Sequence, residues 1–162
     1  MIQAERIPLL RGEGRFVDDI RLPDMLHMAC ARSPHARARI IAIDVEAARR
    51  APGVIAVFTG HDVRDHIAPI RANLEPGGTD RYQFTNWHPL ASDEVRYVGE
   101  IVAVIVASDR YRAEDAAELV IVDYEPSPAV SDVFAARLDS APQVHQQLRG
   151  NVLFHTHRTA YG

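Results

Sequence analysis

Cysteine is nearly absent from this sequence: Cys30 is the one thiol among 162 residues. One thiol cannot form a disulfide within the chain, and it cannot build a thiolate metal site alone. Disulfide-stabilised secreted folds are therefore excluded, and a reducing, cytoplasmic setting is expected. Because Cys30 lies inside an apolar segment, we predict a buried and chemically inert residue.

Lysine is absent altogether. All 18 basic residues are arginines, they are dispersed along the chain, and 22 acidic residues outnumber them to give a net charge of −4. No basic stripe with interleaved aromatic residues occurs, so nucleic-acid binding is not predicted.

Long apolar runs are missing too. None approaches the roughly 18–20 residues that a membrane span requires. Residues 1–15 are interrupted by charged side chains, so we expect no secretory leader. The sequence also has no dinucleotide-binding glycine motif, P-loop, nucleophile elbow or HExxH motif, so common catalytic classes find no support.

The composition is that of an ordinary folded domain, with 47% hydrophobic and 25% charged residues. A chain of this length is typically one domain, and folding removes about 70% of its accessible surface from water. We therefore predict a single domain with its own hydrophobic core.

The first sixty residues indicate a β-β-α-β order. Short apolar or alternating segments predict strands at 25–32, 38–45 and 54–59. A short helix is predicted at 46–50, with Asp44 as its cap. The alternation within 38–45 assigns its residues to two faces: Ile41, Ile43 and Val45 to one, and Ile40, Ala42 and Asp44 to the other.

The middle of the sequence, residues 61–92, has no clear periodicity apart from one possible helical turn at 62–65. Its centre, 73–81, has the Pro and Gly content of a loop. Loops of this length are commonly functional, interface-forming or mobile. Trp87 in this loop is either an exposed anchor for a partner or a plug for its own core, and the sequence leaves both open.

The second half repeats a β-α-β order. The segment 101–107 (IVAVIVA) predicts a strand buried on both faces. A helix begins at Ser108–Asp109 and carries an apolar stripe made mostly of alanine. A strand follows at 119–125, and a last helical turn at 134–138.

Several polar residues are candidates for contacts with a partner. Arg32 and His35 lie in a Ser-Pro turn, where they are either solvent-facing or bind a partner carboxylate or a cofactor phosphate. Glu100 follows Gly99 at the start of the strongest strand, where a cap or an interface contact is favoured over catalysis because no base partner or nucleophile is evident. Together with Trp87, these residues form the predicted interface set.

Other chemical groups have weaker support. Asp18 and Asp19 are adjacent on an extended segment and point apart, so a structural role is favoured over paired acid–base chemistry. His155 and His157 would share one face of a strand, but a catalytic zinc site has three protein ligands. We therefore predict no metal, catalytic or cofactor-binding residue, with a small metal-binding protein as a minor alternative.

Short sequence phrases occur in the order typical of a known family. They are GEGRFVDDI (12–20), LPDML (22–26), RSPHARARI (32–40), APGV (51–54), VFTG (57–60), VRYVGE (95–100), VAV (102–104), AEDAAE (113–118), VDYEP (122–126) and PAV (128–130). The chain thereby resembles the N-terminal α/β-hammerhead domain of the molybdopterin-binding large subunit of the xanthine dehydrogenase and aldehyde oxidase family. The aerobic carbon monoxide dehydrogenase large-subunit branch is the most similar.

The resemblance implies an α+β fold of hammerhead type, a mixed sheet with two main helices and two β-α-β-like halves. It divides the chain into a lead-in (1–10), the hammerhead domain (11–138) and an extended tail (139–162) toward a missing molybdopterin-binding domain.

The resemblance also implies a molybdenum hydroxylase. In such an enzyme water supplies the oxygen, and electrons pass from molybdenum-molybdopterin cytosine dinucleotide through [2Fe-2S] clusters to FAD. The implied partners are the rest of the large subunit, an iron–sulfur small subunit and a flavin medium subunit. The chain by itself is expected to be non-catalytic and free of cofactor; the alternative is a stand-alone binding or assembly module with the same fold.

Overall fold

The computed structural model describes residues 7–70 and 85–154. These residues form six strands: β1 (His27–Arg32), β2 (Ala38–Asp44), β3 (Val54–Thr59), β4 (Glu94–Val95), β5 (Ile101–Ala107) and β6 (Ile121–Pro126). They form four α-helices: α1 (Ile7–Leu10), α2 (Glu46–Arg50), α3 (Gly60–Val63) and α4 (Arg110–Glu118). Single 3₁₀ turns span Val17–Asp19 and Ala135–Arg137. No helix within this part of the chain is long and apolar enough to cross a membrane.

The predicted elements are confirmed in order and type. The loop predicted at 73–81 lies outside the described residues, whereas the helical turn predicted at 62–65 is present slightly earlier as α3. Asp109 caps α4, because its Oδ1 accepts a hydrogen bond from the Arg112 backbone N–H at 3.0 Å. The N-cap of α2 is Val45 and not the predicted Asp44, which lies one residue earlier and accepts a hydrogen bond from Glu46 N at 2.9 Å.

The strands form two three-stranded sheets, in the orders β1-β5-β3 and β4-β2-β6. The α+β class and the hammerhead fold are confirmed, but all four strand pairings are antiparallel, so the prediction of one mixed sheet needs correction. The physical reason lies in the helical connections. Both β2-α2-β3 and β5-α4-β6 cross from one sheet to the other, so neither places two parallel neighbours in one sheet.

Strand β5 is the centre of the first sheet and lies between β1 and β3. All seven of its residues are buried or half-buried, as its unbroken apolar sequence predicts. Successive side chains point to opposite faces of a strand. Accordingly, Ala103 and Ile105 belong to one core cluster, whereas Val102 belongs to the other.

Strand β2 contains an irregularity that the alternation did not predict. The register against β6 shifts between Ile40 and Ala42, which leaves Ile41 as an extra residue. A bulge of this kind breaks the period of two. Ile40 is buried and Ile41 is half exposed, whereas Ile43 is half-buried and Val45 is buried, so the predicted grouping of Ile41 with Ile43 and Val45 is wrong.

The helix α4 packs against β1 and β5 through small side chains. Ala113 and Ala116 are fully buried, and their size allows the helix axis to approach the sheet closely. Gly53 (φ +80°) makes the turn before β3, where a Cβ atom would collide with Ser108 Oγ and the Arg112 side chain. The core is thus built from alanine and β-branched residues around β5.

Candidate functional site

A charged cleft lies beside the second sheet, with a volume of about 850 Å³. Its walls come from the segment before and after β4 and from the stretch around residue 145. The residues that matter most for its chemistry are Trp87, Glu94, Arg96, Tyr97, Glu100 and His145.

Glu94 is the centre of the ion pairs in this cleft. Its Oε1 accepts from Arg37 Nε at 2.8 Å, and its Oε2 lies 3.1 Å from Arg96 Nη2. The Arg37 and Glu94 side chains are only 10% and 19% exposed, so solvent screens this pair weakly. The pair connects the start of β2 to β4 and fixes one side of the cleft.

Glu100 is half-buried and lines the same cleft. Burial raises the pKa of its carboxyl group, and the backbone N–H groups of Arg96 and Tyr97 partly oppose that shift. Its Oε2 accepts a short hydrogen bond from the Arg96 backbone N–H. Glu100 therefore closes the loop at residues 96–100 through its own side chain, and an interface contact for it stays a prediction.

Arg32 contacts the same loop from the end of β1. Its Nη1 donates to the Gly99 carbonyl at 2.8 Å. The backbone continues this connection, because Gly99 N donates to Ser33 O and Ser33 N donates to Glu100 O. Arg32 and Glu100 are thus brought together by the fold, and Gly99 occupies the left-handed region at φ +90°.

His145 borders the cleft from the segment after α4 and β6. Burial lowers its pKa, with further lowering by the nearby guanidinium groups of Arg96 and Arg37. Sequence reasoning missed His145 because nothing in its local sequence marks it. It also missed Glu94 and Arg96, because β4 is only two residues long and carries no periodic pattern.

His35 lies apart from this cleft and contacts Tyr124 of β6. The two rings meet edge to face with centroids 4.8 Å apart. Burial raises the pKa of Tyr124, which a hydrogen bond with Ser33 partly offsets. His35 is half-buried, so its side chain is engaged within the domain.

Trp87 is the most accessible of the predicted interface residues in the cleft, with half of its surface exposed. Its backbone pairs with Ile70 through hydrogen bonds of 2.7 and 3.2 Å. Ile70 is itself 56% exposed. The backbone bridge therefore holds two large apolar side chains at the surface, which favours the anchor interpretation over the plug.

A second surface feature is a groove of about 1020 Å³ along β1. Its walls are the segment 17–26, β1 itself and α4. Large apolar side chains are exposed along it, namely Val17, Ile20, Leu26, Met28 and Tyr111. Cys30 also lines the groove and is only partly buried, because β1 is an edge strand.

Asp18 and Asp19 have structural contacts. Asp19 Oδ2 accepts from the Phe16 backbone N–H at 2.9 Å, and Asp18 lies 3.7 Å from an Arg110 nitrogen. Within residues 7–70 and 85–154, no three His, Cys, Asp or Glu side chains converge where a metal ion could bind. His155 and His157 lie outside the described residues.

A family model described as "Aldehyde oxidase and xanthine dehydrogenase, a/b hammerhead domain" matches residues 11–128. The chain belongs to this family. The resemblance inferred from the short phrases is therefore confirmed, and the chain corresponds to the hammerhead domain of molybdenum hydroxylase large subunits such as that of carbon monoxide dehydrogenase.

Individual relatives in the family agree with this assignment. The carbon monoxide dehydrogenase large chain of Afipia carboxidovorans is 40% identical over 147 residues, which cover 91% of this chain and 17% of that protein. The xanthine dehydrogenase molybdenum-binding subunit of Escherichia coli O157:H7 is 33% identical over 94% of this chain and 20% of that protein. The crystal structure of quinoline 2-oxidoreductase from Pseudomonas putida 86 superposes with a TM-score of 0.84 at 44% identity, covering 94% of this chain and 19% of that chain. The chain thus spans at most a fifth of the length of these three relatives.

Proposed function

We propose that this chain is the structural and docking domain of a molybdenum hydroxylase large subunit. The supporting observation is the extent of apolar surface that the fold leaves open. Val17, Ile20, Leu26, Met28 and Tyr111 are between 49% and 82% exposed and line one groove along β1. Contiguous apolar surface on a folded domain is typical of protein interfaces.

The enzyme we propose oxidises carbon monoxide, an aldehyde or an N-heterocycle, with water as the oxygen source. Molybdenum-molybdopterin cytosine dinucleotide supplies the redox chemistry when bound, and [2Fe-2S] and FAD groups on the small and medium subunits receive the electrons. The residues described above do not fit a metal site, since no ligand cluster converges in them. We therefore assign no chemical step to this chain. We propose that it acts in the assembly of the enzyme and that the enzyme is cytoplasmic.

The predicted interface set divides by what each side chain contacts within the domain. Trp87 is available for direct contact with a partner, since half of its surface is free. Arg32 and Glu100 act indirectly, because their bonds fix the loop at residues 96–100. His35 acts through its packing on Tyr124. We propose that a partner surface covers Trp87 and the rim of the charged cleft.

The proposal is tested with a chimera. This chain replaces the matching 147 residues of the Afipia carboxidovorans carbon monoxide dehydrogenase large chain, and the chimera is produced with the other subunits of that enzyme. We expect an assembled complex of native size that contains molybdenum. A control chimera with Ile105→Asp, which buries a charge in the core, should not assemble.

A folded chimera that binds neither molybdenum nor the other subunits would contradict the proposed function. Such a result would favour the stand-alone binding module. Size is measured by light scattering, folding by circular dichroism and metal content by mass spectrometry, so a folding failure is distinguished from a docking failure.

A further inference from the structure

The groove along β1 exposes the edge of a β-sheet as well as apolar side chains. β1 pairs with β5 on one side only, which makes it an edge strand. All six consecutive residues of β1 line the groove. A groove over one face of a strand would be lined by alternate residues, so this groove follows the backbone edge.

The outer edge of β1 has no backbone partner within the described residues. The segment 17–26 lies alongside it and forms hydrogen bonds within itself, such as Ile20 N to Val17 O and Met25 N to Leu22 O. Half of the backbone N–H and C=O groups of an edge strand point away from the sheet. Those of β1 are therefore free to pair with another extended chain.

Natural proteins usually protect such edges, and β1 has little protection. Proline, lysine and central bulges are the common devices. β1 contains neither proline nor lysine, and its one register shift lies at its end, between Ala31 and Arg32. The opposite edge strand, β3, has its register shift near its start and continues directly into α3.

The walls of the groove suit the side chains of a single added strand. Val17 and Met28 are 82% and 66% exposed, and Tyr111 on α4 is 76% exposed. These apolar groups flank the β1 edge on both sides.

We propose that the free edge of β1 is a β-augmentation site. It accepts an extended segment of the additional polypeptide that forms the rest of a large subunit, and the first sheet thereby becomes four-stranded. This inference rests on the proposed function. The occupant follows from length: this chain matches 17% of the carbon monoxide dehydrogenase large chain, so more than four-fifths of that polypeptide lies outside the matched region. Main-chain hydrogen bonds would supply the affinity, and the apolar walls would select the side chains.

Amide hydrogen exchange of β1 tests the inference directly, in the 162-residue chain alone and in the assembled chimera. In the chain alone, alternate amides of β1 should exchange at least about a hundredfold faster than their neighbours bonded to β5. In the assembled chimera, those fast amides should become as protected as their neighbours. Amides of β3 serve as the internal control and should change little.

A matched pair of variants gives a second readout in the chimera. Met28 on β1 and Ile55 on β3 lie on the two edge strands of one sheet, with 66% and 62% exposure. Met28→Lys should weaken assembly at least about tenfold, because a charge enters the apolar groove. Ile55→Lys should leave assembly unchanged.

Each outcome decides between distinct alternatives. An assembled chimera whose outer β1 amides still exchange rapidly overturns this inference and leaves the proposed function standing. A folded chimera that does not assemble overturns both. If the chain alone sediments as a dimer with all β1 amides protected, the occupant is a second copy, and the inference is wrong.

Discussion

Asn151 connects three parts of the segment that follows β6, and its removal should loosen that segment. Its Oδ1 accepts from Val144 N at 2.8 Å. Its Nδ2 donates to the carbonyl oxygens of Ala136 at 3.1 Å and Pro142 at 3.0 Å. Residues 138–151 lack regular secondary structure, so the hydrogen bonds of this one side chain hold them together.

The expected cost of Asn151→Ala follows from these bonds. A neutral hydrogen bond contributes a net of about 0.5–1.5 kcal/mol, and three are lost. Asn151 is half-buried, so water can satisfy part of what remains. We expect a loss of about 2 kcal/mol in the free energy of unfolding. Asn151→Asp keeps one acceptor but loses both donors, so it should not restore stability.

The assay combines urea denaturation, followed by circular dichroism, with amide hydrogen exchange of residues 136–151. Gln147→Ala is the matched control, since Gln147 is exposed in the same segment and should change stability by less than about 0.5 kcal/mol. If Asn151→Ala matches this control in both urea midpoint and exchange rates, the three hydrogen bonds of Asn151 do not hold the segment, and the reasoning is refuted.

Three further predictions concern helix α3, at Gly60 and Asp62, and the hydrophobic core, at Ile105. Gly60→Ala should cost about 1–3 kcal/mol, measured by urea denaturation, because the added Cβ would collide with the Ala91 carbonyl group. The Thr59 backbone N–H and hydroxyl both donate to Asp62 at 2.7 Å and hold the pKa of that carboxyl below its usual value. This stabilisation is present above the ordinary Asp pKa of about 3.9 and is lost as pH falls through the lower folded pKa, so Asp62→Asn should show a shallower loss of stability in acid. Ile105→Ala should cost about 2–5 kcal/mol and Ile105→Val about 0.5–1.5 kcal/mol, and equal urea midpoints for the two would contradict the core assignment.

The local elements followed directly from sequence patterns. The apolar run of β5, the alanine stripe of α4 and the Asp109 cap are short-range features, and each predicted its element. The pairing of strands is a long-range property. The bulge at Ile41 depends on how β2 meets β6, so no pattern within residues 38–45 reveals it.

The candidate site was only partly predictable for the same reason. Trp87 and Glu100 were selected from sequence and line one cleft. His145 joins them across 45 residues of chain beyond Glu100, and its environment is set by Arg37 and Arg96 from other segments. Burial and neighbouring charge determine the pKa of such a group, and neither is visible in its own sequence.

The sequence by itself determined the family, the order of most of the strands and helices, and the absence of common catalytic motifs, because these reside in residue types and short spacings. Tertiary structure decided that the strands form two antiparallel sheets, that Glu94 pairs with two arginines, and that β1 is an edge strand among the residues that the structure describes. Those properties arise only when distant segments compete for the same hydrogen bonds and the same buried space.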